Sequence, residues 1–290
     1  MQELATSARI RLNAARIGEM ILVTGATGNV GSEVVGALAA AGEPVRALVR
    51  DAQQAVVPEG AQAVSGDLTS PETLDFGGVR ALFLLPGYPG VAQAAAKAGV
   101  EHIVQLSGVS AGTGDTSNAV TRYMMASEQE VTESGVAWTL LRPCAFASNA
   151  LRWLPQLRGG DVIRAPFPKV RTASLDPQDL GAVAATVLRA NSHHGEILWP
   201  TGPEPLTPAE QVAILAEATG RDLTCQGLTD DEARTQMLET TPAEYVDAFF
   251  DFYVNGAIDE SIVRPTVTEV LGRAPRTFAQ WAAAHADTFR

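Results

Sequence analysis

Apolar residues in this chain fall in short dense runs separated by helical-period segments. Runs at 20–24, 45–49, 61–64, 80–85, 101–106 and 137–142 predict strands, with helices after most of them. Ala81-Leu82-Phe83-Leu84-Leu85 has no polar alternation, a pattern that belongs to a strand buried on both faces of its sheet. Alternation of this kind defines an α/β chain, a doubly wound parallel sheet with right-handed crossovers.

Beyond residue 147 the alternation loosens, with proline-rich breaks at 155, 166–168, 200–208 and 265. Helices are predicted at Asp179–Ala190, Pro208–Thr219, Asp230–Leu238, Pro242–Tyr253, Pro265–Leu271 and about Thr277 to Asp287. The expected organisation is a core over 20–147 and a smaller, mainly helical cap over 148–290 that is interleaved with the core and does not fold alone. Helical spacing puts Tyr245, Phe249 and Phe252 on one face. Such a stripe serves either as core or as the wall of an aromatic site. Residues 1–19, with Arg9, Arg11 and Arg16 on a possible helix from Leu4 to Ile17, are expected to be a loose extension.

The first strand runs into Thr24-Gly25-Ala26-Thr27-Gly28-Asn29-Val30-Gly31, and Ser32–Ala41 continue at helical period. Glycines at this spacing between a strand and a helix let the chain turn sharply, approach a pyrophosphate by its backbone, and pack the helix close. The helix N-terminus then offers N–H groups and a positive dipole to the phosphates. Gly25, Thr27, Gly28, Asn29 and Val30 are therefore candidate dinucleotide contacts.

Ligands of such sheets lie at the carboxyl ends of the strands. That rule adds Arg50, Asp67 and Leu68, Leu85, Pro86 and Gly87, Ser107, and Pro143 with Phe146. An arginine after the second strand suits the 2′-phosphate of NADP, where a carboxylate would take the 2′-hydroxyl of NAD. NADP(H) is thus favoured over NAD(H), although Asp51 follows directly and Arg50 has a plainer role as a solvated loop charge. Asp67 either accepts from the adenine amino group or serves as a turn residue.

Composition narrows the class. The 290 residues carry a net charge of −12, which opposes binding to nucleic acid or anionic membrane. No apolar run approaches ~18 residues. Two cysteines, Cys144 and Cys225, cannot build a disulfide framework, so the cytoplasm is the expected compartment. The expected partner is a small molecule, and the expected assembly a monomer or homodimer. No metal is expected: His193 and His194 are adjacent, so their side chains diverge. His102 is expected to be structural, and no histidine partner can be named for Cys144.

The glycine turn, Gly66-Asp67-Leu68, the run Ala98–Ser107 and the run Ser134–Pro143, with Phe146 and Asn149, resemble the NmrA-like family of atypical short-chain dehydrogenases/reductases over residues 20–290. The resemblance implies a Rossmann fold and NAD(P)(H) binding. It leaves two classes of function: reductases of quinones, azo dyes or enol-like aromatics, and redox sensors that bind the dinucleotide without turning it over.

Short-chain dehydrogenases use a tyrosine whose pKa is lowered by a lysine four residues on. Here Tyr123 is followed at that spacing by Ser127, and the only lysines are Lys97 and Lys169. Glu128 cannot replace the lysine, because a carboxylate does not lower a tyrosine's pKa. Reduction of an electron-poor aromatic acceptor leaves a weakly basic anion and is therefore the more plausible reaction. Ser107 and Tyr123 are the candidate catalytic hydrogen-bond donors; their plain alternatives are a turn cap and a packing residue. A sugar-nucleotide epimerase is the lower reading, since such enzymes retain the Tyr/Lys pair.

Overall fold

The computed structural model describes residues 19–190 and 192–290. The extension expected over residues 1–19 lies outside the described residues, apart from Glu19.

The strands are β1 (Met20–Val23), β2 (Val45–Val49), β3 (Ala61–Ser65), β4 (Val79–Leu84), β5 (His102–Leu106), β6 (Ala137–Leu141), β7 (Val162–Ala165), β8 (Glu196–Leu198) and β9 (Thr224–Gly227). Seven form one sheet in the order β3-β2-β1-β4-β5-β6-β8. Pairing is parallel, with Ile21 opposite both Val45 and Ala81, and Ala81 opposite His102. Strand order reverses between β1 and β4. That is the switch point at which an open α/β sheet binds its ligand.

The six expected strands are present within a residue or so of their expected limits. The three short ones, β7, β8 and β9, were not expected; they are three or four residues long and carry polar positions such as Arg164, Glu196 and Gln226. Helices do not follow every strand. Residues 51–60 join β2 to β3 without one, and only a 3₁₀ turn at Pro71–Thr73 follows β3.

By internal contacts the chain forms two compact units. Of the described residues, one comprises those up to Leu106 with Ser127–Leu140 and Ala184–Glu196; the other comprises Ser107–Ala126, Leu141–Val183 and Ile197–Arg290. In the first unit every residue of β1 is buried. Leu22, Leu48, Leu82, Leu84, Ile103 and Leu140 join in one apolar cluster. Helix α1 (Gly31–Ala40) buries Val34, Val35 and Leu38, one stripe at helical spacing. Helices α2 (Val91–Lys97) and α3 (Ala119–Thr132) follow β4 and β5.

The remaining helices are α4 (Leu154–Leu157), α5 (Pro177–Arg189), α6 (Pro208–Thr219), α7 (Asp230–Leu238), α8 (Ala243–Tyr253), α9 (Thr266–Leu271), α10 (Phe278–Ala284) and α11 (Ala286–Phe289). Three begin with a capping box: Thr207 with Glu210, Thr229 with Glu232, and Thr277 with Gln280. Each pair satisfies orphan N–H groups reciprocally, and such a cap contributes about 1 kcal/mol. The single terminal helix expected from Thr277 to Asp287 is instead two, parted at His285. In the second unit Phe278, Trp281 and Phe289 pack with Val212, Leu215 and Ile163. The aromatic helix α8 sends Val246 and Phe250 into a separate cluster with Leu228 and Ala233, while Tyr245 and Phe249 stay partly exposed. The expected stripe is therefore only partly core.

Candidate dinucleotide site

The end of β1 holds one turn. Thr24, fully buried, donates its N–H to Phe83 O at 3.0 Å, and its Oγ1 accepts Leu85 N–H at 2.9 Å. The ends of β1 and β4 are thereby clamped at the switch point. Gly25 follows with φ +60°, and a Cβ there would lie 2.4 Å from Leu85 Cδ1. Gly28 N–H closes the turn on Gly25 O at 2.9 Å. At Gly31 a Cβ would lie 2.1 Å from Gly25 O, so the helix can start this close to the strand only without a side chain.

Ala26 and Val30 point into the core, leaving Thr27, Gly28 and Asn29 exposed. The N-cap residue of α1, Val30, makes no side-chain capping bond. The positive end of a ten-residue helix thus meets an exposed backbone turn free of large side chains, an arrangement that fits a pyrophosphate.

Arg50 is exposed at the end of β2. The neighbouring carboxylate, Asp51, turns back into its own loop and accepts from Gln53 N–H at 2.9 Å and Gln54 Nε2 at 2.7 Å. Asp67, one loop away, accepts both the N–H (2.9 Å) and the hydroxyl (2.7 Å) of Thr69 through Oδ1. The Thr69 side chain and backbone, with a smaller attraction from Arg50, hold the Asp67 carboxyl below the usual carboxylate range. Asp67 is thus engaged through Oδ1 in its own turn. Leu68 beside it packs against the sheet's apolar cluster.

Leu85 and Pro86 are half-buried after β4. Gly87 donates its N–H to Ser127 Oγ at 2.8 Å, and Gly90 donates to Glu130 Oε1 at 2.7 Å. Sequence reasoning missed these two contacts. It read Ser127 only as a missing lysine, whereas one face of α3 holds the loop after β4. The spacing of Ser127 and Glu130, one helical turn apart, was the available signal.

In the second unit Ser107 is buried just past β5 and donates its N–H to Leu141 O at 2.7 Å; Val109 does the same to Pro143 O at 3.0 Å. The ends of β5 and β6 thus carry Ser107 and Pro143 together. Phe146 bridges to Leu175, and Leu175 N–H bonds Ala145 O at 2.9 Å. Tyr123, on α3, keeps 40% of its surface exposed. Cys144 is buried with its thiol on Ala173 O at 2.7 Å. Burial, reinforced by Glu260, pushes that thiol up to about 12, which leaves it inert as a nucleophile. His102 is buried on Thr139 Oγ1 at 2.9 Å, a structural position. Among the described residues no group of three His, Cys, Asp or Glu is placed to hold a metal ion, and no helix is long and apolar enough to cross a membrane.

Residues 25–191 match the model of the NAD(P)H-binding family. The chain is 41% identical over 282 residues to (4-alkanoyl-5-oxo-2,5-dihydrofuran-3-yl)methyl phosphate reductase of Streptomyces griseus, covering 93% of this chain and 99% of that one. An NAD(P)H azoreductase of Xenophilus azovorans is 36% identical over 284 residues, again covering 93% and 99%. Among solved structures, an NADPH-dependent quinone oxidoreductase of Escherichia coli superposes with a TM-score of 0.76 at 24% identity, over 91% of this chain and 99% of that one. The fold and its glycine turn define a Rossmann-type dinucleotide-binding protein. This chain belongs to the NAD(P)H-binding family, and its class is that of the NAD(P)H-dependent oxidoreductases.

Proposed function

We propose that this protein is an NADPH-dependent reductase of small, electron-poor conjugated acceptors, quinone-like or other aromatic carbonyl compounds. The observation that carries this reading is Ser127. The position that a lysine would occupy to activate Tyr123 is held by a hydroxyl already engaged with Gly87. Without a lysine, a tyrosine is a weak acid for an alkoxide, but an acceptor that delocalises the new charge needs little acid help. The names of three relatives have this chemistry in common: an acyl dihydrofuranone, azo compounds and quinones.

NADPH, when bound, supplies the hydride. The chain's part is to hold the pyrophosphate at Gly25–Val30 and the 2′-phosphate at Arg50. The same reading assigns Leu85, Pro86, Gly87, Pro143 and Phe146 to the nicotinamide, and Asp67 and Leu68 to the adenine. Ser107 and Tyr123 stand as donors to the acceptor's oxygen. The test is steady-state NADPH oxidation with a panel of quinones and azo dyes. Turnover supports the reductase; tight NADPH binding with no turnover on any acceptor would replace it with the non-catalytic sensor. Tyr123→Phe is the companion variant, and an unchanged rate would remove Tyr123 from the mechanism.

A further inference from the structure

The second unit contains a cavity of about 250 Å³ that the dinucleotide residues do not use. It lies between the Lys169–Arg171 segment, the end of α8 and the loop 256–261. Phe252 and Tyr253 supply aromatic wall, Ile258 apolar wall, and Glu260 a carboxyl group. The volume lies just below the usual range of about 300–1,000 Å³ for ligand sites, which limits the occupant to a compound of one or two rings.

Two polar side chains, the half-buried Tyr253 and the buried Glu260, meet in that wall. Tyr253 donates its hydroxyl to Glu260 Oε2 at 2.7 Å, and Glu260 is only 7% exposed. Glu260 also accepts the N–H of Ala145, and its own carbonyl takes Ala173 N–H at 2.7 Å. The pair is therefore anchored on the segment between Pro143 and Phe146, which the reductase reading assigns to the nicotinamide end. Tyr253 is further fixed by the Phe167 ring, 5.1 Å away. Phe167 itself adopts φ 52°, a left-handed conformation that a bulky residue holds only when its surroundings impose it. An aromatic wall and a hydrogen-bonded Tyr253–Glu260 pair meet at one opening, with Phe167 packed on the Tyr253 ring.

We propose that this cavity binds a small planar carbonyl compound, with the Tyr253 hydroxyl donating to its oxygen and Glu260 orienting that hydroxyl. The assignment rests on the reductase reading and adds Tyr253 to Ser107 and Tyr123 as a donor to the acceptor's oxygens. Burial raises the pKa of the Glu260 carboxyl. When that carboxyl carries a proton, it donates to Tyr253 Oη and the phenolic hydrogen is free to turn toward the cavity. The charged and titratable groups around the pair are Cys144, Arg152, Lys169, Arg171 and Asp259. Asp259 is turned into Ser261 and Arg171 onto Glu210, each at 2.6 to 3.0 Å.

The test is titration of the full chain with 2-methyl-1,4-naphthoquinone, followed by quenching of intrinsic fluorescence, beside a parallel NADPH titration. Tyr253→Phe should weaken quinone binding about five- to tenfold and leave NADPH affinity unchanged. Glu260→Gln, whose side-chain NH2 can still donate to the phenol oxygen, should weaken quinone binding less than Tyr253→Phe does. Ile258→Trp fills the cavity without touching the pair and should abolish quinone binding at an unchanged melting temperature, which keeps the test sound if Tyr253→Phe folds poorly. Wild-type affinity in both Tyr253→Phe and Ile258→Trp, or no quinone binding by the wild type, would overturn the assignment. Quinone binding that depends on Tyr253 without NADPH oxidation would contradict the reductase reading alone. Quinone turnover indifferent to both substitutions would contradict the cavity alone.

Discussion

Ser127 Oγ accepts the backbone N–H of Gly87 at 2.8 Å, one helical turn past Tyr123. The contact joins α3 to the loop after β4, at the edge of the proposed nicotinamide site. It gives position 127 a positive role in place of the lysine it lacks. Ser127→Ala leaves the Gly87 N–H without this acceptor, in a partly buried place. A hydrogen bond of this kind contributes about 1 kcal/mol. Chemical denaturation should show that loss, and NADPH should bind more weakly because the loop at Gly87 is less well held. Unchanged stability and unchanged NADPH affinity would contradict the role.

Arg50 is the residue on which cofactor choice turns. It is exposed at the end of β2, and Asp51 is occupied by Gln53 and Gln54. A charge-assisted contact to the 2′-phosphate is worth about 1.5–3 kcal/mol, or roughly ten- to a hundredfold in affinity. Arg50→Ala should therefore weaken NADPH by about that factor and NADH hardly at all. Equal losses for both dinucleotides would remove Arg50 from the 2′-phosphate.

Gly31→Ala places a methyl group 2.1 Å from Gly25 O, a backbone atom that cannot step aside. Overpacking of this sort costs about 1–3 kcal/mol or more. The relief available is for α1 to move away from β1, which spoils the turn. The variant should melt lower and lose measurable NADPH binding in a direct titration. Full affinity would show that the turn tolerates the shift.

His102 makes stability depend on pH. Burial, then the neighbouring His194, Arg80 and His193, lowers its pKa from 6.5 to about 4. Between those values the unfolded chain binds a proton that the folded chain refuses. Stability is therefore level above the unfolded pKa and falls as pH drops through the window, by at most about 1.4 kcal/mol per pH unit. Urea midpoints measured from about pH 7 down to about pH 5 should fall in the wild type. The slope should flatten in His102→Asn.

Much of this site was legible in the sequence because its parts are local. The glycine turn is one stretch of backbone, and each glycine answers a neighbour within six residues or at the adjacent strand end. The helix starts at Pro208, Asp230 and Thr277 were equally readable, since the capping residue and its partner lie three apart. What escaped depends on long-range pairing. Ser127 finds Gly87 across 40 residues, and the short parallel pair β7 and β9 takes its register, Ile163 opposite Cys225, from chain segments far apart. Tyr253 and Glu260 are near in sequence, yet nothing in their spacing tells that a cavity stands beside them.

The central claim is that a dinucleotide held at Gly25–Val30 and Arg50 is consumed, not merely bound. A single-turnover experiment tests it most directly. Protein saturated with NADPH is mixed with excess 2-methyl-1,4-naphthoquinone, and the near-ultraviolet absorbance of the bound NADPH is followed. The account predicts a first-order loss of that absorbance, faster than in protein-free solution and abolished in Gly31→Ala. Bound NADPH that persists unchanged, with this quinone and with azo dyes alike, would contradict it.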